Sequence, residues 1–152
     1  MASRTSIDAF LTARRIAVVG VSREPRSFTN SVYRHLRAGD RDVVPVNPFA
    51  STLEGDRCAA SVIDIEDPLD GVLVMVDALE APDVVRDCIT RGVPRVWLHR
   101  GAGQGAVSAE AVEMCRSAGI DVVDGACPMM FAEPVGVIHR LHRLVSGRRV
   151  AA

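Results

Sequence analysis

Ile16-Ala17-Val18-Val19-Gly20-Val21-Ser22-Arg23-Glu24-Pro25, with the stretch that runs on to Asn47-Pro48, decides the fold. Ile16 to Val19 are four apolar residues closed by a glycine, too short for a helix and in keeping with a strand buried on both faces. From Ser27 to Ala38 the apolar residues Phe28, Val32 and Leu36 recur at four-residue steps with Tyr33 beside them, and Gly39 supplies a stop. Val43-Val44-Pro45-Val46 then reads as a second strand. Strand, turn, helix and strand make one βαβ unit, whose crossover is right-handed by the general rule for such units.

Working outward, Ser6 is the expected cap of an opening helix, Ile7 to Ala13, with an apolar stripe of Ile7, Phe10 and Leu11 packed at the sheet edge. Phe49 to Asp67 is a linking stretch with turn signals at Glu54-Gly55-Asp56, a short third strand at Arg57 to Ala59 and a helical turn at Ser61 to Ile65. Gly71 to Val76 is a buried strand, followed by Asp77 and a helix from Pro82 to Thr90 that Gly92 and Pro94 end. Arg95-Val96-Trp97-Leu98 is the next strand, Ser108 to Ala118 the next helix, and Ile120 to Val123 the last strand. Glu133 to Val145 completes the pattern as an amphipathic helix carrying Val135, Ile138, Leu141 and Val145. This alternation predicts an α/β, Rossmann-like, doubly wound and mostly parallel sheet with helices on both faces, in strand order 3-2-1-4-5-6. One domain over residues 1–145 and a flexible tail over 146–152 are expected.

Sheets of this kind bind ligands outside the carboxyl ends of their strands. Val21 to Ser27 lies at that edge and feeds a helix N-terminus, where free N–H groups and the helix dipole favour an anion. Arg23 and Arg26 add positive charge, and Ser22 and Ser27 add hydroxyls, so the loop suits a phosphorylated ligand. The same stretch reads, more plainly, as a βα loop with exposed arginines. Of the dinucleotide fingerprint G-x-G-x-x-G only Gly20 is present; Ser22 and Pro25 stand at the other two positions. Asn47-Pro48 occupies the place where NAD enzymes carry an acid for the ribose. The architecture is that of a nucleotide site, and these residues argue against ordinary NAD binding.

Gly20-Val21-Ser22, Pro25, Val44-Pro45-Val46-Asn47-Pro48, Gly55, Val96-Trp97-Leu98 with Gly101, and Cys127-Pro128 together resemble the small stand-alone CoA-binding proteins. These are similar to the amino-terminal domain of the succinyl-CoA synthetase α subunit. The resemblance runs from Ile7 to Phe131 and implies coenzyme A or an acyl-CoA as ligand. It carries contact with the nucleotide onto Gly20, Val21, Ser22, Asn47, Pro48, Val76, Leu98 and His99; charge and position add Arg23, Arg26 and Ser27. His99 stands where the family usually has Gln, and Asp77 follows the fourth strand where the family has Arg or Lys. The synthetases also need a phosphorylated histidine from a further domain, so a binding protein without ligase activity of its own is expected here, as carrier, sensor or regulatory protein. Two other classes stay open: a small NAD(P)- or other nucleotide-dependent enzyme using His99 or Cys127, and a degenerate module that acts through contact with a partner or its own copy.

A net charge of −1 on 152 residues supplies no global attraction to nucleic acid or membrane. With no signal-peptide pattern and no apolar run of about 20 residues, a cytoplasmic location is expected. Cys58, Cys88, Cys115 and Cys127 form no Cys-x-x-Cys pair, so neither zinc nor a disulfide framework is indicated. Cys127 reads as a packing residue or as a thiol facing that of CoA. Gly101-Ala102-Gly103-Gln104-Gly105 reads equally as an anion-binding or an unliganded loop. The basic cluster of His139, Arg140, His142, Arg143, Arg148 and Arg149 reads as a solvated face.

Overall fold

The computed structural model describes residues 2–101 and 103–131. The helix expected at Glu133–Val145, the basic cluster on it and the tail at 146–152 lie outside the described residues. Strands β1 (Arg15–Val19), β2 (Asp42–Val46), β5 (Gly71–Val74), β6 (Arg95–Leu98) and β7 (Asp121–Asp124) form one five-stranded parallel sheet in the order β2-β1-β5-β6-β7. Between β2 and β5, β3 (Thr52–Leu53) and β4 (Asp56–Arg57) make a separate antiparallel hairpin. Its turn residues Glu54 and Gly55 have φ of 53° and 81°, the mirror-image turn that matches strand twist.

The third strand is reduced to a single bridge. Ala59 pairs in parallel with Val46: its N–H donates to the Pro45 carbonyl at 3.0 Å and its carbonyl accepts from Asn47 at 2.9 Å. Pro45 has no N–H with which to extend that ladder, so Arg57 closes the hairpin and does not join the sheet. The order 3-2-1-4-5-6 therefore holds for five strands, with Ala59 alone in the outermost place.

The two faces of the sheet follow the period of two along each strand. Ala17, Val19, Val72, Val74, Val96 and Leu98 face α3 (Ala81–Thr90) and α4 (Ala109–Ser117), whose Val85, Cys88, Ala111 and Cys115 are buried there. Ile16, Val18, Leu73, Trp97 and Val123 face α1 (Arg4–Leu11) and α2 (Phe28–Arg37), which bury Phe10, Val32, Tyr33 and Leu36. At about 25 cal/mol per Å² of apolar surface, these two layers are the main source of stability.

Two local expectations are corrected. Helix α1 starts three residues early because Ser3 caps it, accepting from the Ser6 N–H at 3.0 Å, while Ser6 Oγ donates to Asp121 at 2.6 Å. It packs over the sheet face at the β7 edge, as expected, and reaches inward: the Phe10 ring stands edge-on to Trp97 at 5.4 Å, and a Cβ at Gly71 would sit 2.9 Å from it. Phe28 is the second correction, since it is 54% exposed and leaves the buried stripe to Val32, Tyr33 and Leu36.

Candidate functional site

The loop after β1 crosses the carboxyl end of β5. Gly20 has φ of 107°, and a Cβ there would lie 2.8 Å from the Met75 carbonyl oxygen, so this crossing needs glycine. Val21 buries its side chain, and its carbonyl accepts from Asn47 Nδ2 at 2.9 Å. Asn47 Oδ1 accepts from the Phe49 N–H at 2.8 Å, so this carboxamide ties the loops after β1 and β2 together. Ser22 is held by Asn30, whose Oδ1 accepts the Ser22 N–H at 2.8 Å and whose Nδ2 donates to the Ser22 carbonyl at 2.9 Å.

Asn30 is 1% exposed and is the hub of this edge. Its Nδ2 also donates to Glu54 Oε1 at 2.9 Å, and its Oδ1 accepts from Ser27 Oγ at 2.7 Å. Glu54 pairs with Arg34 at 2.8 Å. The Asn30 bond first, and then Arg34, hold the Glu54 carboxyl below the usual carboxylate range. The hairpin tip is thereby fastened to the first turn of α2.

Ser27 caps that turn, with its side chain accepting from the Asn30 N–H at 3.4 Å. The N–H groups of Phe28 and Thr29 have no acceptor among the described residues, so the positive end of the helix dipole faces outward. Arg23 and Arg26 flank it, exposed, and among the described residues neither guanidinium pairs with a carboxylate. Glu24 is the local counter-charge, accepting the Arg26 backbone N–H at 3.3 Å.

Across the edge, His99 follows β6. Its backbone N–H donates to Val74 at 3.0 Å and its carbonyl accepts from Ala106 at 2.9 Å. A Cβ at Gly105, where φ is 59°, would fall 2.2 Å from that carbonyl oxygen, so the glycine loop closes tightly on it. His99 is 8% exposed, its Nε2 has no hydrogen-bond partner among the described residues, and its ring is tilted against Phe28 at 5.7 Å. Burial lowers its pKa and favours the neutral imidazole.

The expected site residues thus fall into three groups. Gly20, Val21, Ser22, Ser27 and Asn47 are brought together by the hydrogen bonds above, with much of their polar capacity used internally. Arg23, Arg26 and Pro48 are exposed around them. Val76 is half-buried, and Leu98 is fully buried, backbone included, with its side chain in the core and its carbonyl accepting from the Gly125 N–H at 3.1 Å, so the structure does not present Leu98 to an incoming ligand. Asp77 is exposed just ahead of α3, its carbonyl accepting from Glu80 and Ala81 at 3.0 Å. Cys127 is buried and free. Among the described residues no cluster of His, Cys, Asp or Glu could hold a metal, and no helix is long and apolar enough to cross a membrane.

Sequence reasoning missed Asn30, Glu54 and the part played by Phe28. Asn30 had one signal, a short polar side chain three residues after a cap, on the buried side of an amphipathic helix.

The comparisons agree with this architecture. The chain is 30% identical over 115 residues, 76% of its length and 82% of the relative's, to the uncharacterized protein YneT of Bacillus subtilis. It is 26% identical over 80 residues to an ADP-forming acetate–CoA ligase of Methanocaldococcus jannaschii, where the match spans 11% of the ligase and 53% of this chain. A hypothetical protein from Pyrococcus horikoshii superposes with a TM-score of 0.77 at 29% identity, covering 84% of this chain and 88% of that one. The dinucleotide-forming acetyl-coenzyme A synthetase 1 of Ca. Korarchaeum cryptofilum, in a structure with phosphate and ADP, gives 0.66 at 28% identity over 76% of this chain and 26% of its own. The model of the CoA binding domain matches residues 14–133, and the chain belongs to that family.

Proposed function

We propose that this protein binds coenzyme A or an acyl-CoA at the carboxyl edge of the sheet without transforming it, as a carrier, sensor or regulatory protein of the cytoplasm. The observation that carries the reading is the open N-terminus of α2, with the guanidiniums of Arg23 and Arg26, unpaired among the described residues, beside it, in a chain of the CoA-binding family. Two unpaired N–H groups and two guanidiniums suit the phosphates of the nucleotide. Gly20 lets the backbone come close, and Ser22 keeps a hydroxyl proton to donate, because its oxygen accepts from the Glu24 N–H at 2.9 Å. Pro48, which is exposed, and Val76, which is half-buried, line the remaining edge.

Thermal unfolding with CoA, acetyl-CoA, NAD, NADP and ATP tests the reading. A ligand at 100 times its dissociation constant stabilises by about 2.7 kcal/mol. The reading expects a shift with CoA and its thioester; a shift confined to NAD or NADP would overturn it.

A further inference from the structure

We propose that Phe28 and His99 form a covered hydrogen-bonding subsite: the Phe28 ring shields Nε2 of His99 in the free protein and swings aside so that this nitrogen meets a polar group of the bound nucleotide. The inference rests on the CoA reading and deepens it by naming the pair that selects the ligand.

Four observations carry it. His99 is more than nine-tenths buried, yet Nε2 meets no donor or acceptor among the described residues, a state that a folded protein bears at a cost unless something else satisfies the group. The imidazole lies against Phe28, the first residue of α2, so the unpartnered nitrogen adjoins the open helix N-terminus. Phe28 is 54% exposed and its helix stands on the buried contacts of Val32, Tyr33 and Leu36, so its ring is free to move without unfolding the turn. Gly101 also adjoins the imidazole: a Cβ there would come within 3.4 Å of Cε1 and 4.0 Å of Nε2, so a larger residue would crowd the unpartnered nitrogen. A neutral imidazole carries one donor and one acceptor, which fits a hydroxyl, amino or phosphate oxygen of the nucleotide. An apolar side chain at 99 fits none of these.

The test is calorimetric titration of the full chain with coenzyme A, using His99→Leu, His99→Gln and Phe28→Ala, beside diethyl pyrocarbonate labelling of His99 read by peptide mass. His99→Leu is expected to weaken CoA tenfold or more while the free protein melts no lower than the parent, because an unsatisfied buried group has been removed. His99→Gln, which restores a donor and an acceptor, is expected to bind within threefold. Phe28→Ala is expected to speed labelling at His99 severalfold, and CoA to slow it. Equal CoA affinity in His99→Leu overturns the proposal and leaves the CoA reading standing, as does unchanged labelling in Phe28→Ala. A parent protein that takes up no CoA overturns both.

Discussion

The Asn30 carboxamide brackets Ser22, accepting its N–H at 2.8 Å and donating to its carbonyl at 2.9 Å. A single helical side chain thereby fixes both peptide groups flanking Ser22 in the loop after β1 and, through Glu54, the neighbouring hairpin. Asn30→Ala leaves several buried groups without partners, and a loss of about 2 kcal/mol follows from the cost of unsatisfied polar groups. Asn30→Asp keeps the acceptor but sets a second carboxylate against Glu54. Urea unfolding should place Asn30→Asp below Asn30→Ala at pH 7 and close the gap in acid.

Gly20→Ala combines a positive φ with an approach of 2.8 Å to the Met75 oxygen. The backbone there has no room to yield without moving β5, so a loss of about 1–3 kcal/mol is expected. The same variant should bind CoA poorly because the loop is displaced, which calorimetry on the still-folded fraction would read.

Arg23→Ala and Arg26→Ala remove exposed guanidiniums that no carboxylate among the described residues holds. Unfolding should stay within about 0.5 kcal/mol of the parent. CoA affinity should fall in each, and the salt dependence of binding should flatten as charge is removed. Affinity that survives the double substitution would place the phosphates elsewhere.

The pH dependence has a definite sign. His99 has its pKa lowered by burial, so the unfolded chain takes up a proton that the folded chain refuses. Its contribution is fully present above the ordinary histidine value of about 6.5 and is lost as pH falls from there toward the folded value. Glu54 is likewise lowered, by Asn30 and Arg34, and its contribution is lost as pH falls from about 4.3 through its folded value. Denaturation midpoints from pH 8 to 3 should therefore fall in two steps. His99→Gln removes the upper one, and Glu54→Gln weakens the lower.

The fold was legible because the sheet is buried on both faces, so its strands are short apolar runs and its helices carry clear stripes. Arg95–Leu98 and the helix from Ser27 to Ala38 show this, allowing for caps. The third strand was misjudged because Pro45 removes one donor, a constraint that appears only once the side of β2 it faces is known. Helix α1 was misplaced because Ser3 and Ser6 are equally good caps by type, and the choice falls to Ser3 when Asp121, far along the chain, engages Ser6. At the candidate site, the glycine, serines and arginines of one loop stand together in the sequence. Asn30, Glu54 and Phe28 did not, since they act across the gap between α2, the hairpin and β6.

The most direct measurement is a binding isotherm of coenzyme A on the purified parent protein at fixed salt, with the Arg23→Ala, Arg26→Ala double variant beside it. Saturable one-site binding that the variant weakens by tenfold or more is the predicted result. No binding by the parent, or equal binding by both, would contradict the assignment of the phosphates to the N-terminus of α2.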